Sequence, residues 1–226
     1  MKHILGSVTV IAALLSVAQA QTVTFDFEDG TDQGFGTGFG NDASKTFPIV
    51  NIGGSLRMAV TLGGFQVAGR EGASGPFLAA MNAAAANPSV STISYDWYVD
   101  TSGGGYGTYL QLGTYLNSGS GAYSQDFPNT GKDVDIGGVD LASGGIFSGT
   151  INETLTQKYG SPLNAGHVAQ TFQRLGLIMN GDGAGTTTVY FDNITITAVP
   201  EPGSLALVGL GAAAMWMMSR RRSIRS

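Results

Sequence analysis

Apolar and polar residues alternate along much of the chain. Over residues 22–28 the apolar side chains Val23, Phe25 and Phe27 fall on odd positions. Over 93–99 they do so again, with Ile93, Tyr95, Trp97 and Val99 on one side and Tyr98 on the other. A period of two marks a half-buried strand. Over 106–116, Leu110, Leu112 and Leu116 share one face, and Tyr109, Gln111 and Tyr115 share the opposite one. Residues 172–179 and 186–197 form a further strand pair, joined by the glycine-rich stretch 180–185, whose composition is that of a hairpin loop. Weaker strands are predicted over 55–62 and 145–154. Gly, Asn and Ser clusters at 29–44, 101–105, 117–121 and 180–185 read as loops. The one helix candidate is 77–86, alanine-rich and closed by Asn87-Pro88.

The last strand holds an irregularity. Val189 and Phe191 are apolar at odd positions, whereas Ile194 and Ile196 are apolar at even ones. The inward parity changes at Asp192-Asn193, which predicts a β-bulge there.

Composition narrows the class. Of 226 residues, 35 are glycine, roughly twice the ordinary share of about 7%. Charged residues make up 12%, about half their usual quarter. A coiled coil, a helical bundle and a charge-rich disordered chain are excluded. Glycine has no three-residue period, which excludes collagen. Without cysteine there is no disulfide framework, cysteine zinc site or thiol chemistry. Many short strands separated by turns predict an all-β fold for residues 21–198, a two-sheet antiparallel β-sandwich of jelly-roll type.

Both ends read as addresses. Residues 1–20 carry Lys2, an apolar stretch over 4–17 and the small-x-small site Ala18-Gln19-Ala20, the layout of a secretory signal peptide. The exported chain then starts near Gln21. Residues 199–226 hold Pro200-Glu201-Pro202, an apolar run over 205–218 and a basic end with Arg220, Arg221, Arg222 and Arg225. A helix is expected to start after the prolines. Its 14 apolar residues are short for a transmembrane span of about 17–25, and snorkelling arginines would help it. The arginines predict a cytoplasmic tail end.

This three-part terminus resembles the PEP-CTERM sorting signal. The resemblance implies processing by an exosortase-type membrane enzyme at or near Pro200, Glu201 and Pro202. Before processing, the chain would be held transiently in the inner membrane through its C-terminal helix. Delivery to the cell surface or exterior, among extracellular polysaccharide and biofilm material, would follow.

Charge divides along the same lines. Residues 21–198 carry 6 Lys or Arg against 15 Asp or Glu, a net −9, while 199–226 carry 4 against 1, a net +3. An acidic exported body argues against nucleic acid as a partner.

The opening 25–31 (Phe-Asp-Phe-Glu-Asp-Gly-Thr) and the close 189–196 (Val-Tyr-Phe-Asp-Asn-Ile-Thr-Ile) resemble the first and last strands of jelly-roll carbohydrate-binding modules. In those modules the matching carboxylates sit on a structural calcium. Carried over, they are Glu28 and Asp192, with Asp26 as a further candidate; the resemblance does not supply the rest of the shell, for which Asn51 and Asp42 are guesses. Calcium takes six to eight oxygens, many from backbone and water. Without an ion, Asp192 would serve a turn hydrogen bond and Glu28 would be solvated. Sugar binding calls for flat aromatic rings beside amides or carboxylates. Tyr98, Tyr109, Gln111 and Tyr115 are the residues of that kind, with ordinary amphipathic tyrosines at a sheet surface or in a second core layer as the alternative reading. Trp97 alternates with the core set. Asp133, Asp135 and Asp140 read as a charged edge strand.

Catalysis has little support. The exported part contains a single histidine, His167, read as a loop or surface residue, and no G-x-S-x-G, H-E-x-x-H or P-loop motif. Asn152 and Asn193 open N-x-S/T sequences that read as turn and strand residues. The sequence thus predicts an exported, non-enzymatic surface or matrix protein, with a calcium-stabilised carbohydrate-binding module as the alternative.

Overall fold

The strands of the computed structural model follow the alternation. It describes residues 20–37, 46–62, 64–102, 109–125, 136–160, 163, 165–181 and 187–199. The signal peptide, the Pro200-Glu201-Pro202 box, Arg220, Arg221 and Arg222, Asp42, Asp133 and Asp135 lie outside these residues.

Twelve strands are described: β1 (Gln21–Phe25), β2 (Phe35–Thr37), β3 (Ile49–Ile52), β4 (Ser55–Leu62), β5 (Phe65–Gly72), β6 (Thr92–Asp100), β7 (Tyr109–Ser118), β8 (Tyr123–Gln125), β9 (Ile136–Asp140), β10 (Ile146–Thr154), β11 (Gln173–Gly181) and β12 (Thr187–Ala198). Two α-helices join them, α1 (Gly75–Ala86) and α2 (Leu155–Tyr159). The strands form two sheets, each with antiparallel pairing throughout. One has the order β10-β6-β12-β4-β3, with β1 also on β12; the other has the order β2-β5-β11-β7-β8, with β9 also on β7.

The core lies between the sheets because each strand turns its apolar parity inward. Ile93, Tyr95 and Val99 of β6 meet Leu110, Leu112 and Leu116 of β7 in one buried cluster. Trp97 is half-buried and packs against the same cluster. At about 25 cal/mol per Å² of apolar surface, such burial is the main favourable term. The central strands β12 and β11 contribute on the same principle. In β11, Leu175, Leu177 and Met179 face the core, while Ile178 is buried on the other side of its sheet.

Strand β12 is the hub of its sheet. Thr187–Phe191 pair with β4, Ile194–Ala198 pair with β1, and β6 runs along the opposite edge. The bulge predicted at Asp192-Asn193 is present. The register with β6 shifts between Asp192 and Thr195, and Asn193 has φ +50°. It falls where the neighbour on one edge changes from β4 to β1. Phe27, just after β1, has φ +56° and is fully buried. Left-handed backbone is unfavourable for such a residue and is held by its surroundings.

Helix α1 starts two residues earlier than predicted. Proline is tolerated in a first helical turn, and Pro76 occupies it here. The helix buries Phe77, Ala80, Met81, Ala84 and Ala85, and Asn87 caps its end. Among the described residues no helix is long and apolar enough to cross a membrane.

Three expectations need correction. His167 is not a surface residue but fully buried. Strand β2 lies in the stretch 29–44 read as a loop; Tyr115 is fully buried, in the second core layer of its alternative reading. Strand β7 runs to Ser118, into the stretch 117–121 read as a loop.

Candidate functional site

Two places bring the predicted site residues together, one in each sheet. The first surrounds the bulge. Asp192 is 6% exposed. Its Oδ1 accepts the backbone N–H of Asn193 at 2.8 Å, and its Oδ2 lies 4.0 Å from Nε of Arg57 on β4. On β6, Asp96 accepts Nδ2 of Asn193 at 2.8 Å and the hydroxyl of Thr150 from β10. Oε1 of Glu28 accepts the N–H of Leu56 at 3.2 Å. Burial pushes the Asp192 carboxyl above the usual carboxylate range. The Asn193 N–H and Arg57 oppose the rise, and Asp96 and Glu28 add to it. Asp192 therefore feels one guanidinium and two further carboxylates. Arg57 also lies over the Tyr98 ring, 5.2 Å from its centroid, and Tyr98 meets Tyr190 at 5.9 Å.

Glu28 and Asp192 supply the hard oxygen donors and surplus negative charge that suit a calcium ion. Asp26 accepts, through Oδ1, the N–H of Glu28 at 3.3 Å and Nε2 of Gln33 at 3.2 Å, contacts within its own stretch of chain. Asn51 is engaged in a turn, accepting the N–H of Gly54 at 3.1 Å. Among the described residues no three His, Cys, Asp or Glu side chains are grouped to hold a metal. An ion here would draw its remaining ligands from backbone carbonyls and water.

The second place is the outer face of the β11 sheet. The four residues read as a glycan platform do not meet. Tyr98 is on β6 in one sheet, while Tyr109, Gln111 and Tyr115 are on β7 in the other. Tyr109 pairs through its backbone with Asp140 of β9. The Tyr115 side chain packs with Val67 and Ile178 and stacks on Tyr123, with ring centroids 5.6 Å apart and planes at 27°. Burial and the neighbouring Tyr123 push its hydroxyl well above the ordinary phenol range. Gln111 is half-buried and accepts Nδ2 of Asn180 at 3.2 Å. The register sets Phe65, Asn180 and Gln111 in one row across β5, β11 and β7. Phe65 is 52% exposed and Tyr123 is 43% exposed. The face therefore presents the Phe65 ring beside amides and, farther along β7 in the row of Asn117, the Tyr123 ring. Both fall in segments with too little alternation to be read as strands.

His167 accepts or donates through Nε2 to the Ser124 hydroxyl at 3.0 Å. Burial pulls its pKa below the ordinary imidazole value. Its Nδ1 meets no hydrogen-bond partner among the described residues. A serine–histidine pair without a third group to orient the ring lacks the triad arrangement.

Residues 198–222 match the PEP-CTERM protein-sorting motif. Comparison with curated proteins finds no match. Among solved structures, the fold is similar to a family 28 carbohydrate-binding module specific for non-crystalline cellulose. The identity is 13% and the TM-score 0.51, covering 75% of this chain and 90% of that one. It also matches the CBM22-1 xylan-binding domain from Paenibacillus barcinonensis Xyn10C, at 13% identity, TM-score 0.43, and 81% and 97% coverage. A third match is CBM27-1 of Caldicellulosiruptor saccharolyticus in complex with mannohexaose, at 13% identity, TM-score 0.41, and 79% and 96% coverage. Likeness at such identity speaks to fold alone. The chain carries at its C-terminus a sorting motif that implies an exported, exosortase-processed protein, on a body folded as a β-sandwich like those of carbohydrate-binding modules.

Proposed function

We propose that this is an exported, non-enzymatic protein of the cell surface or extracellular matrix, sorted through its C-terminal tail. The observation that carries the reading is the sorting motif at 198–222, which begins at the end of strand β12. In this reading the signal peptide directs export, and the tail holds the chain in the inner membrane until an exosortase-type enzyme cuts at or near Pro200, Glu201 and Pro202. The acidic sandwich then takes its place among extracellular polysaccharide. The test is mass spectrometry of surface material. A body ending near Pro200–Pro202 is expected, and a mature protein with its arginine-rich end intact would refute the reading.

A second reading, a carbohydrate-binding module, is favoured by one observation, the exposed Phe65 ring in one row with the Asn180–Gln111 amide pair on the outer face of the β11 sheet. Aromatic faces beside amides suit the apolar and hydroxylated sides of a sugar ring. A calcium ion held by Glu28 and Asp192 would brace the bulge and supply charge neutralisation there. A ligand that binds only the folded state raises its melting temperature by mass action. A rise with one glycan from a panel supports this reading, and no rise with any glycan in a folded sample rejects it.

A further inference from the structure

The last described residue of the sandwich, Val199, immediately precedes Pro200 in the sequence. Ala198, the last residue of β12, is fully buried and pairs with Gln21, the first residue of β1. The N–H of Val199 donates to Oγ of Ser91 at 3.2 Å. Pro200 opens the box. One residue therefore separates a paired, buried strand from the segment to be cut.

We propose that β1 is a clasp on the end of β12, so that the tail that follows in sequence is cut slowly while β1 is paired with β12 and quickly once that end of the sheet opens. The inference rests on the reading of the tail given above. Enzymes that act on a peptide segment commonly take it in extended form, with main-chain hydrogen bonds on both sides of the bond that reacts. Here the residues before the box already spend those bonds on β1 and β6. Lifting them out would expose Ile194, Ile196 and Ala198, all fully buried. Strand β1 is the cheaper side to release. It is terminal and pairs only with β12 among the described residues, and terminal elements open at lower free energy than the whole fold. Removing the signal peptide after Ala20 would place the free end of the clasp at Gln21, opposite Ala198. Cutting itself breaks one peptide bond. The acyl side stays with the body and passes to water or an acceptor nucleophile, and the amine stays with the tail.

The test follows full-length protein in cells that contain an exosortase, with the cut fraction read over time by mass spectrometry. One variant carries a flexible Gly/Ser linker of about ten residues between Val199 and Pro200, which gives reach without touching the ladder. A second is Thr24→Pro, which loosens β1, since proline cannot serve a strand ladder. Both are expected to be cut several-fold faster than the native chain. A linker form cut at the native rate, or more slowly, would overturn the clasp and leave the tail reading intact. No cut at 200–202 in any form would overturn the tail reading and the clasp together. If Thr24→Pro fails to fold, the linker form alone decides.

Discussion

The ring of Tyr115 lies flat across Gly176, its cross-strand partner on β11. A Cβ built at Gly176 would overlap the ring carbons. Gly176→Ala is therefore expected to push Tyr115 off its neighbours Val67, Ile178 and Tyr123. Overpacking of this kind costs about 1–3 kcal/mol. Denaturant unfolding should show the loss, and an unchanged midpoint would mean that the ring moves freely.

Tyr123 carries the exposed side of that stack, so it replaces Tyr115 as the aromatic to test for glycan contact. If the outer face of the β11 sheet binds a polysaccharide, Tyr123→Ala should weaken binding roughly tenfold, or about 1.4 kcal/mol. Affinity electrophoresis with the glycan that raises the melting temperature would read this. Undiminished retention of the variant would take Tyr123 out of the contact.

His167 gives a dependence on acid. Its pKa is lowered in the fold from 6.5 by burial. As pH falls, the unfolded chain takes up the proton before the folded one. The contribution is complete above about pH 6.5 and is lost as pH falls through the folded value. Stability should decline as pH falls below about 6.5, and His167→Gln should flatten that decline. Parallel slopes for the two proteins would show that other groups set it.

Asp192 has the opposite sign. Its pKa is raised from 3.8, chiefly by burial. Its contribution is present below 3.8 and is lost as pH rises through the folded value. At neutral pH without an ion, the buried carboxylate costs stability. Asp192→Asn keeps an oxygen for the Asn193 N–H, and in EDTA it should melt at or above the native temperature. Calcium should raise the melting temperature of the native protein and leave the variant unmoved. A native protein indifferent to both calcium and EDTA would rule out the ion.

Strand parity was legible in β6, where Ile93, Tyr95, Trp97 and Val99 are apolar without a break, and in β1, β7 and β12 through shorter apolar runs, the buried Thr114 interrupting the leucines of β7. The bulge was legible for the same reason, since Phe191 and Ile194 cannot both face inward on a regular strand. Strand β5 was hidden because Arg70, Glu71 and two glycines interrupt its pattern. The structure explains Arg70, whose guanidinium lies over the Phe25 and Phe77 rings at 5.7 and 5.3 Å. Alternation placed Tyr115 opposite the leucines, which is where it is. Its burial comes from Val67, Ile178 and Tyr123 on three other strands, and no local pattern reports that. The acidic neighbourhood was half legible. Glu28 and Asp192 were found through resemblance, whereas Asp96 and Arg57 join only through the register of β6 and β4.

The central position of β12 also dictates an order of events during export. Thr24 of β1 meets Thr195 across 171 positions of sequence. Until the last strand has crossed the membrane, β1 has no partner strand among the described residues, and β4 and β6 lack their shared neighbour. Contacts this distant in sequence make folding slow. The chain must therefore remain open for nearly the whole of its passage, and the sheet can close only when the sorting tail is itself about to arrive.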